Sequence, residues 1–387
     1  MDNKPTDSYV GFEQGPIRPP SEAHSLLVRV TRNCPWNQCT FCPVYKGTKF
    51  SRRPVEHVKS DIDAVYEHVQ AIRELADEQG RVPRSEIDRI TANVDPQKSP
   101  VFVAAFNWYF VGGLESVFIQ DANSLIIKPS DLVEILEHLK KRFPQMERIT
   151  SYARSQTVSR MKEEDLKAIG NAGLNRIHIG LESGSDEVLK MVKKGVTKGT
   201  HVQAGVKVKK AGIELSEYYM PGLGGRKYFK EHALETADAL NQINPDFIRM
   251  RTLAIPNHAP LFEDHQAGRF EKCTEVMVVK EILMFIENLD GITSVVKSDH
   301  ILKLLQDLEG TLPQDKERMI EMLRTFLAMD PERQRLYQLG RRIGVFSRLA
   351  DMESPYRMAR AEKAYSQLGN AAEDIDKVTD ELMKRFI

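Results

Sequence analysis

Cys34, Cys39 and Cys42 stand within nine residues, in the run CPWNQCTFC, and the chain's only other cysteine is Cys273. Thiolates ligate metals, and three at this density point to a metal centre. A structural zinc site wants four ligands, commonly two close pairs. Here no second pair follows, and the nearest downstream histidine is His57. A [4Fe-4S] cluster held by three thiolates fits the count better. Its fourth iron would lack a protein ligand and could bind a substrate or cofactor.

Other chemistry-bearing residues fall on stretches that read as strands. Side chains alternate along a strand, so each strand shows two faces. His178, Gly180 and Glu182 share one face, with Ile177, Ile179 and Leu181 on the other. Arg29 falls with Thr31, Tyr152 with Arg154, Glu217 with Tyr219, and Arg249 with Arg251. Charge on an inner face is costly unless it pairs or meets a polar ligand. Two readings follow: a structural ion-pair network, or a polar cavity at the carboxyl ends of parallel strands, where barrels place their sites.

The elements that position these residues form a regular succession. Strands are predicted over residues 25–31, 116–120, 148–153, 176–181, 213–220 and 246–253, each followed by helical sequence. Pro129-Ser130-Asp131 starts a helix with Leu132, Ile135, Leu136 and Leu139 on one face. Repeated βα units imply a parallel sheet with right-handed crossovers. The expected fold is α/β, a partial (β/α)6 TIM-like barrel with a C-terminal helical extension. Residues 1–24 read as an irregular lead-in, 25–260 as the barrel and 261–387 as a helical cap. The apolar run at residues 101–111 reads as core, with a lid over an apolar pocket as the alternative. Lys193-Lys194 and Arg341-Arg342 read as solvated surface charge, and Cys273 as a small buried hydrophobe.

With the cysteine loop after the first strand and six βα units behind it, the chain resembles the radical S-adenosylmethionine (SAM) enzymes. It is most similar to the subgroup containing the oxygen-independent coproporphyrinogen oxidase, the Elongator catalytic subunit and the methylthiotransferases. The resemblance covers residues 25–255. One departure is the four residues between Cys34 and Cys39, where three are commonest in the family. The resemblance implies a [4Fe-4S] cluster on Cys34, Cys39 and Cys42 and a SAM site above the strand ends. Phe41 matches the aromatic residue that precedes the last cysteine and lies near the adenine. Gln120, Asp121 and Asn123 occupy the place of the family's amine-binding segment, with Asp121 the best candidate for the amine. Arg154 is placed to pair with a carboxylate. Glu182 and Ser183 resemble ribose or amine contacts, Gly222 the glycine-bearing adenine contact, and Arg251 a further cofactor contact. A haem or cofactor chaperone on the same frame is the competing class, with His178, Tyr219 and His300 as its candidate ligands.

Bulk composition bounds the partners. Lys+Arg and Asp+Glu are both 55, so the basic excess of a general nucleic-acid binder is absent. No stretch reaches the length of a membrane span, and no apolar leader opens the chain. Four cysteines, three of them bunched, do not make a disulfide framework, which points to the reducing cytoplasm. The expected partners are a small-molecule substrate and a reductant such as flavodoxin or ferredoxin, with nucleic acid and membrane unlikely. A tRNA-modifying enzyme remains the alternative.

Overall fold

A computed structural model of the chain describes residues 8–92, 94–95, 99–298, 302–368 and 374–383. The main sheet has the order β1 (Leu26–Arg29), β4 (Ser116–Gln120), β5 (Arg148–Ala153), β6 (Leu174–Glu182), β7 (Glu214–Tyr219), β8 (Phe247–Met250), β9 (Val295–Lys297), β10 (Gly310–Thr311). β2 (Thr31–Arg32) and β3 (Ser51–Arg52) form a separate antiparallel pair. The pairs β1–β4, β4–β5, β7–β8 and β8–β9 are parallel, and β10 closes the order antiparallel to β9. Parallel neighbours need crossovers, and the helices between the strands supply them.

The chain divides into two compact units, residues 1–35, 47–178 and 210–214, and residues 36–46, 179–209 and 215–387. The first unit carries α1 (Val55–Arg73), α2 (Arg84–Ala92), α3 (Ser99–Phe110), α4 (Pro129–Arg142), α5 (Ser155–Arg160) and α6 (Glu163–Ala172). In α1, Val58, Ile62, Val65, Val69 and Ile72 recur at helical spacing and are buried. In α4 a proline opens the helix and the expected apolar face is the buried one. α6 stops at Gly173, whose φ of 119° suits a residue without a Cβ. The apolar run at 101–111 forms most of α3: Val101, Phe102, Ala105 and Trp108 are buried, while Val103, Phe110 and Val111 stay exposed.

The second unit carries α7 (Asp186–Met191), most of α8 (Lys198–Lys210), α9 (Gly225–Ile243), α10 (Pro260–Gln266), α11 (Glu275–Glu287), α12 (Lys316–Ala328), α13 (Pro331–Arg342), α14 (Pro355–Ser366) and α15 (Ile375–Met383). The stretch expected to be a helical cap also contributes β9 and β10. At three and two residues they are too short to show an alternating pattern. Arg341 and Arg342 are not solvated surface charge. Both are buried: Arg342 pairs with Glu275 and donates to the Leu302 carbonyl at 2.9 Å, and Arg341 donates to Gln306 at 3.0 Å.

Candidate active site

The cysteine loop is pinned by its backbone. Asn33, just before Cys34, takes φ 67°, a left-handed conformation that asparagine tolerates. Its N–H donates to Asp121 Oδ2 at 3.0 Å, and its side-chain amide donates to the Lys49 carbonyl at 2.7 Å. In the second unit, Thr40 lies between Cys39 and Cys42. Its N–H donates to the Val192 carbonyl at 3.0 Å and its carbonyl accepts from Leu261 N–H at 2.9 Å. The Trp36 indole donates to the Lys193 carbonyl at 2.7 Å. Gly195 follows at φ 75°, and a Cβ there would stand 2.3 Å from the Trp36 ring. That contact requires glycine.

Cys34, Cys39 and Cys42 are each partly exposed, whereas Cys273 is buried and its thiol is pushed up to about 12, first by burial and then by Glu281. Each of these three thiols is thus accessible, and thiolates are the donors that an iron–sulfur cluster takes. Among the described residues, no His, Cys, Asp and Glu side chains are gathered in a group of three or more that could hold a metal ion.

In the first unit the residues expected to hold SAM are engaged by the protein. Gln120 is fully buried; its Oε1 accepts from Gly15 N–H at 2.8 Å and its Nε2 donates to the Ile17 carbonyl at 2.6 Å. It fastens the lead-in. Asp121 is also fully buried, and its Oδ2 accepts from Arg29 at 2.9 Å as well as from Asn33. The carboxylate expected to meet the methionyl amine therefore braces the residue before Cys34. Asn123 Oδ1 accepts from Arg154 N–H at 3.0 Å and its Nδ2 donates to Thr157 at 2.8 Å. Asn123 and Arg154 are brought together at the start of α5.

In the second unit Glu182 takes φ 64°, outside ordinary strand geometry, and its Oε1 accepts from Lys194 at 3.1 Å. The Lys194 ammonium lies 5.6 Å from the centre of the Phe41 ring. Phe41 packs on a cluster that includes Val188, Val192, Met220, Leu253 and Leu261. Lys194 is thus held by Glu182 and largely buried, and is not solvated charge. The doubled lysine looked like surface because neither its helix nor its loop showed which residue turns inward. Glu217 is fully buried, and burial pushes its pKa well above the usual carboxylate range. Ser183 bonds His232, and Gly222, at φ 88°, donates its N–H to Glu281. Arg251 is exposed, and its N–H donates to the Tyr219 carbonyl at 2.8 Å.

Of the candidate haem ligands, His178 is fully buried 3.5 Å from Glu22, and the Tyr219 hydroxyl donates to Glu281 at 2.6 Å. His300 lies outside the described residues. His232 and Glu281 went unnoticed in the sequence, because an isolated histidine or glutamate inside a helix gives no sign of burial. No described helix is long and apolar enough to cross a membrane.

The match to a known family agrees with this frame. The model of the radical SAM superfamily matches residues 103–240. A tRNA uridine(34) acetyltransferase of Methanocaldococcus jannaschii is 21% identical over 291 residues, 71% of this chain and 50% of the relative. Its counterpart in Methanocaldococcus infernus is 25% identical over 126 residues, 31% of this chain and 23% of the relative. The chain therefore spans half or less of the curated relatives it matches. Among solved structures, the coproporphyrinogen III oxidase of Escherichia coli, a radical SAM enzyme, aligns at 14% identity and a TM-score of 0.44, covering 68% of this chain and 52% of that one. With the parallel βα succession and the three-cysteine loop after β1, the family match over residues 103–240 marks an enzyme of the radical SAM type, a superfamily whose members use a [4Fe-4S] cluster and S-adenosylmethionine.

Proposed function

We propose that this enzyme cleaves SAM reductively and uses the resulting 5′-deoxyadenosyl radical on a small or medium organic substrate. The observation that carries the proposal is the cysteine loop, with Thr40 clamped on both sides between two partly exposed thiols. Cys34, Cys39 and Cys42 would hold the cluster. When bound and reduced by a donor such as flavodoxin or ferredoxin, the cluster would supply the electron that splits the SAM sulfonium. The chain's own residues bind and orient. Phe41 offers a ring face to the adenine, and Glu182 with Lys194 offers one charge of each sign to a zwitterionic methionyl group. Gly222 lets the backbone approach the adenosyl moiety, while Ser183, Arg154 and Arg251 complete the expected set. Gln120 fastens the lead-in, Asn123 holds the Arg154 backbone, and Asp121 steadies Asn33 beside the first cysteine.

Anaerobic reconstitution should load about four irons per chain, the content of one cubane. Replacing Cys34, Cys39 and Cys42 by Ala should abolish that iron and the release of 5′-deoxyadenosine. Cys273→Ala should keep both. A stable zinc content with no iron uptake would sink the reading.

A second reading, modification of tRNA, is favoured by the names of the curated relatives. It uses the same cofactors and differs only in what the radical reaches.

A further inference from the structure

Tyr219, His232 and Glu281 are fully buried behind the strand ends, and no step described so far uses them. Glu281, midway along α11, is the hub. Its Oε1 accepts from the Tyr219 hydroxyl at 2.6 Å and from the Gly222 backbone N–H at 3.0 Å. His232 Nε2 lies 3.5 Å from the same oxygen.

His232 carries the connection to a second turn. Its Nε2 is 3.0 Å from the Met220 carbonyl, which can only accept, so Nε2 holds the proton. Nδ1 is then an acceptor and takes the Ser183 hydroxyl at 2.8 Å. Ser183 Oγ in turn accepts from Ser185 N–H at 3.0 Å. This pattern needs a neutral imidazole, and burial, which pushes His232 down to about 4, keeps it neutral. One turn of α9 further on, Thr236 accepts from Gly184 N–H at 2.8 Å. The turn after β6 and the turn after β7 are thus tied to α9 and α11 by one continuous set of bonds.

The choice of a carboxyl at position 281 calls for a reason. Oε2 is buried without a hydrogen-bond partner, and an unsatisfied buried oxygen is unfavourable. A leucine would fill a helix–strand interface at less expense. It would offer no acceptor to Gly222 N–H, which sits in a turn whose φ of 88° only glycine adopts easily.

We propose that Glu281 is a positioning residue that fixes the Gly222 turn and, through His232, the Ser183 turn, so that both are set before SAM arrives. The proposal rests on the SAM-cleaving reading, which gives those turns to the adenosyl group. A site ordered in advance binds more tightly because less freedom is lost on binding.

The test is SAM binding by calorimetry to the anaerobically reconstituted full chain, paired with amide hydrogen exchange over residues 220–225 in the chain without SAM. Glu281→Gln keeps an acceptor of the same reach and should bind SAM within about twofold of the parent, with exchange unchanged. Glu281→Leu removes the acceptor and should bind about tenfold more weakly, with faster exchange. Should the Leu variant not fold, Glu281→Asp, one methylene too short to hold both donors, should show the same weakening. A folded Leu or Asp variant with parental affinity and parental exchange would overturn the proposal. A parent that binds no SAM would sink the SAM reading instead, and the exchange comparison would still decide whether Glu281 holds the turn.

Discussion

Glu217 concentrates at a single residue the cost of placing charge inside a sheet. It is fully buried. Burial is the first cause that raises its pKa; the nearby Lys194 opposes the rise and Glu182 adds to it. In the unfolded chain the same carboxyl ionises in the ordinary range, near 4.5. The folded state therefore binds more protons than the unfolded one above that pH. Linkage then makes stability fall as pH rises from the unfolded value toward the raised folded one. The slope is about 1.4 kcal/mol per pH unit for one group. Glu217→Gln cannot ionise, so its unfolding free energy should decline less than the parent's between about pH 5 and 8. Urea titrations across that range measure the difference. Parallel declines in both proteins would show that Glu217 is not the group responsible. Glu281, which burial raises to about 8, should contribute a decline of the same sign and remain in the variant.

At the scale of elements, the lead-in is held by side chains and not by a ladder of its own. Gln120 grips Gly15 and Ile17, and Glu13 pairs with Arg29 at 3.2 Å, Arg32 at 2.8 Å and Arg53 at 2.8 Å. Gln120→Leu keeps the volume and removes the bonds to the lead-in. Amide exchange over residues 11–17 should accelerate while α4 stays protected, at a cost of about 1–3 kcal/mol for the unpaired backbone groups. Unchanged exchange there would mean that Glu13 alone holds the segment. The βα frame itself was legible in the sequence. Ser116–Gln120 and Arg148–Ala153 are strands with the predicted bounds, and α4 starts at the Pro129-Ser130-Asp131 signal. Long periodic segments bounded by glycine and proline declare themselves. The short strands β9 and β10 did not, and neither did the inward turn of Lys194 or the burial of Arg341 and Arg342. Those depend on which distant residue arrives opposite, as Glu275 does for Arg342 and Glu182 for Lys194. The cysteine loop was legible because its ligands are neighbours in sequence. The network of Ser183, His232 and Glu281 was not, because its members are 49 residues apart or more.

For the whole molecule the open matter is the size of what the radical reaches, and charge bears on it directly. The chain carries 55 basic and 55 acidic residues. Many lysines and arginines are already neutralised by the protein: Arg53 lies against Glu13 and Asp61, Arg176 against Glu214, and Lys198 against Glu235 and Asp238. A protein that follows a phosphate backbone releases counterions, and its affinity falls steeply with salt in proportion to the phosphates it contacts. With its charge balanced and cations such as these committed internally, this chain should bind total tRNA no more tightly than about 10⁻⁵ M at physiological salt, the range of non-specific association. Such binding should not raise the rate of 5′-deoxyadenosine release. Filter binding at two salt concentrations, with SAM cleavage followed in parallel, measures both quantities. Submicromolar binding that weakens with salt and accelerates SAM cleavage would put tRNA in place of the small molecule as the substrate. The cofactor roles argued for Phe41, Glu182 and Lys194 would stand unchanged, because they concern how the radical is made and not where it goes.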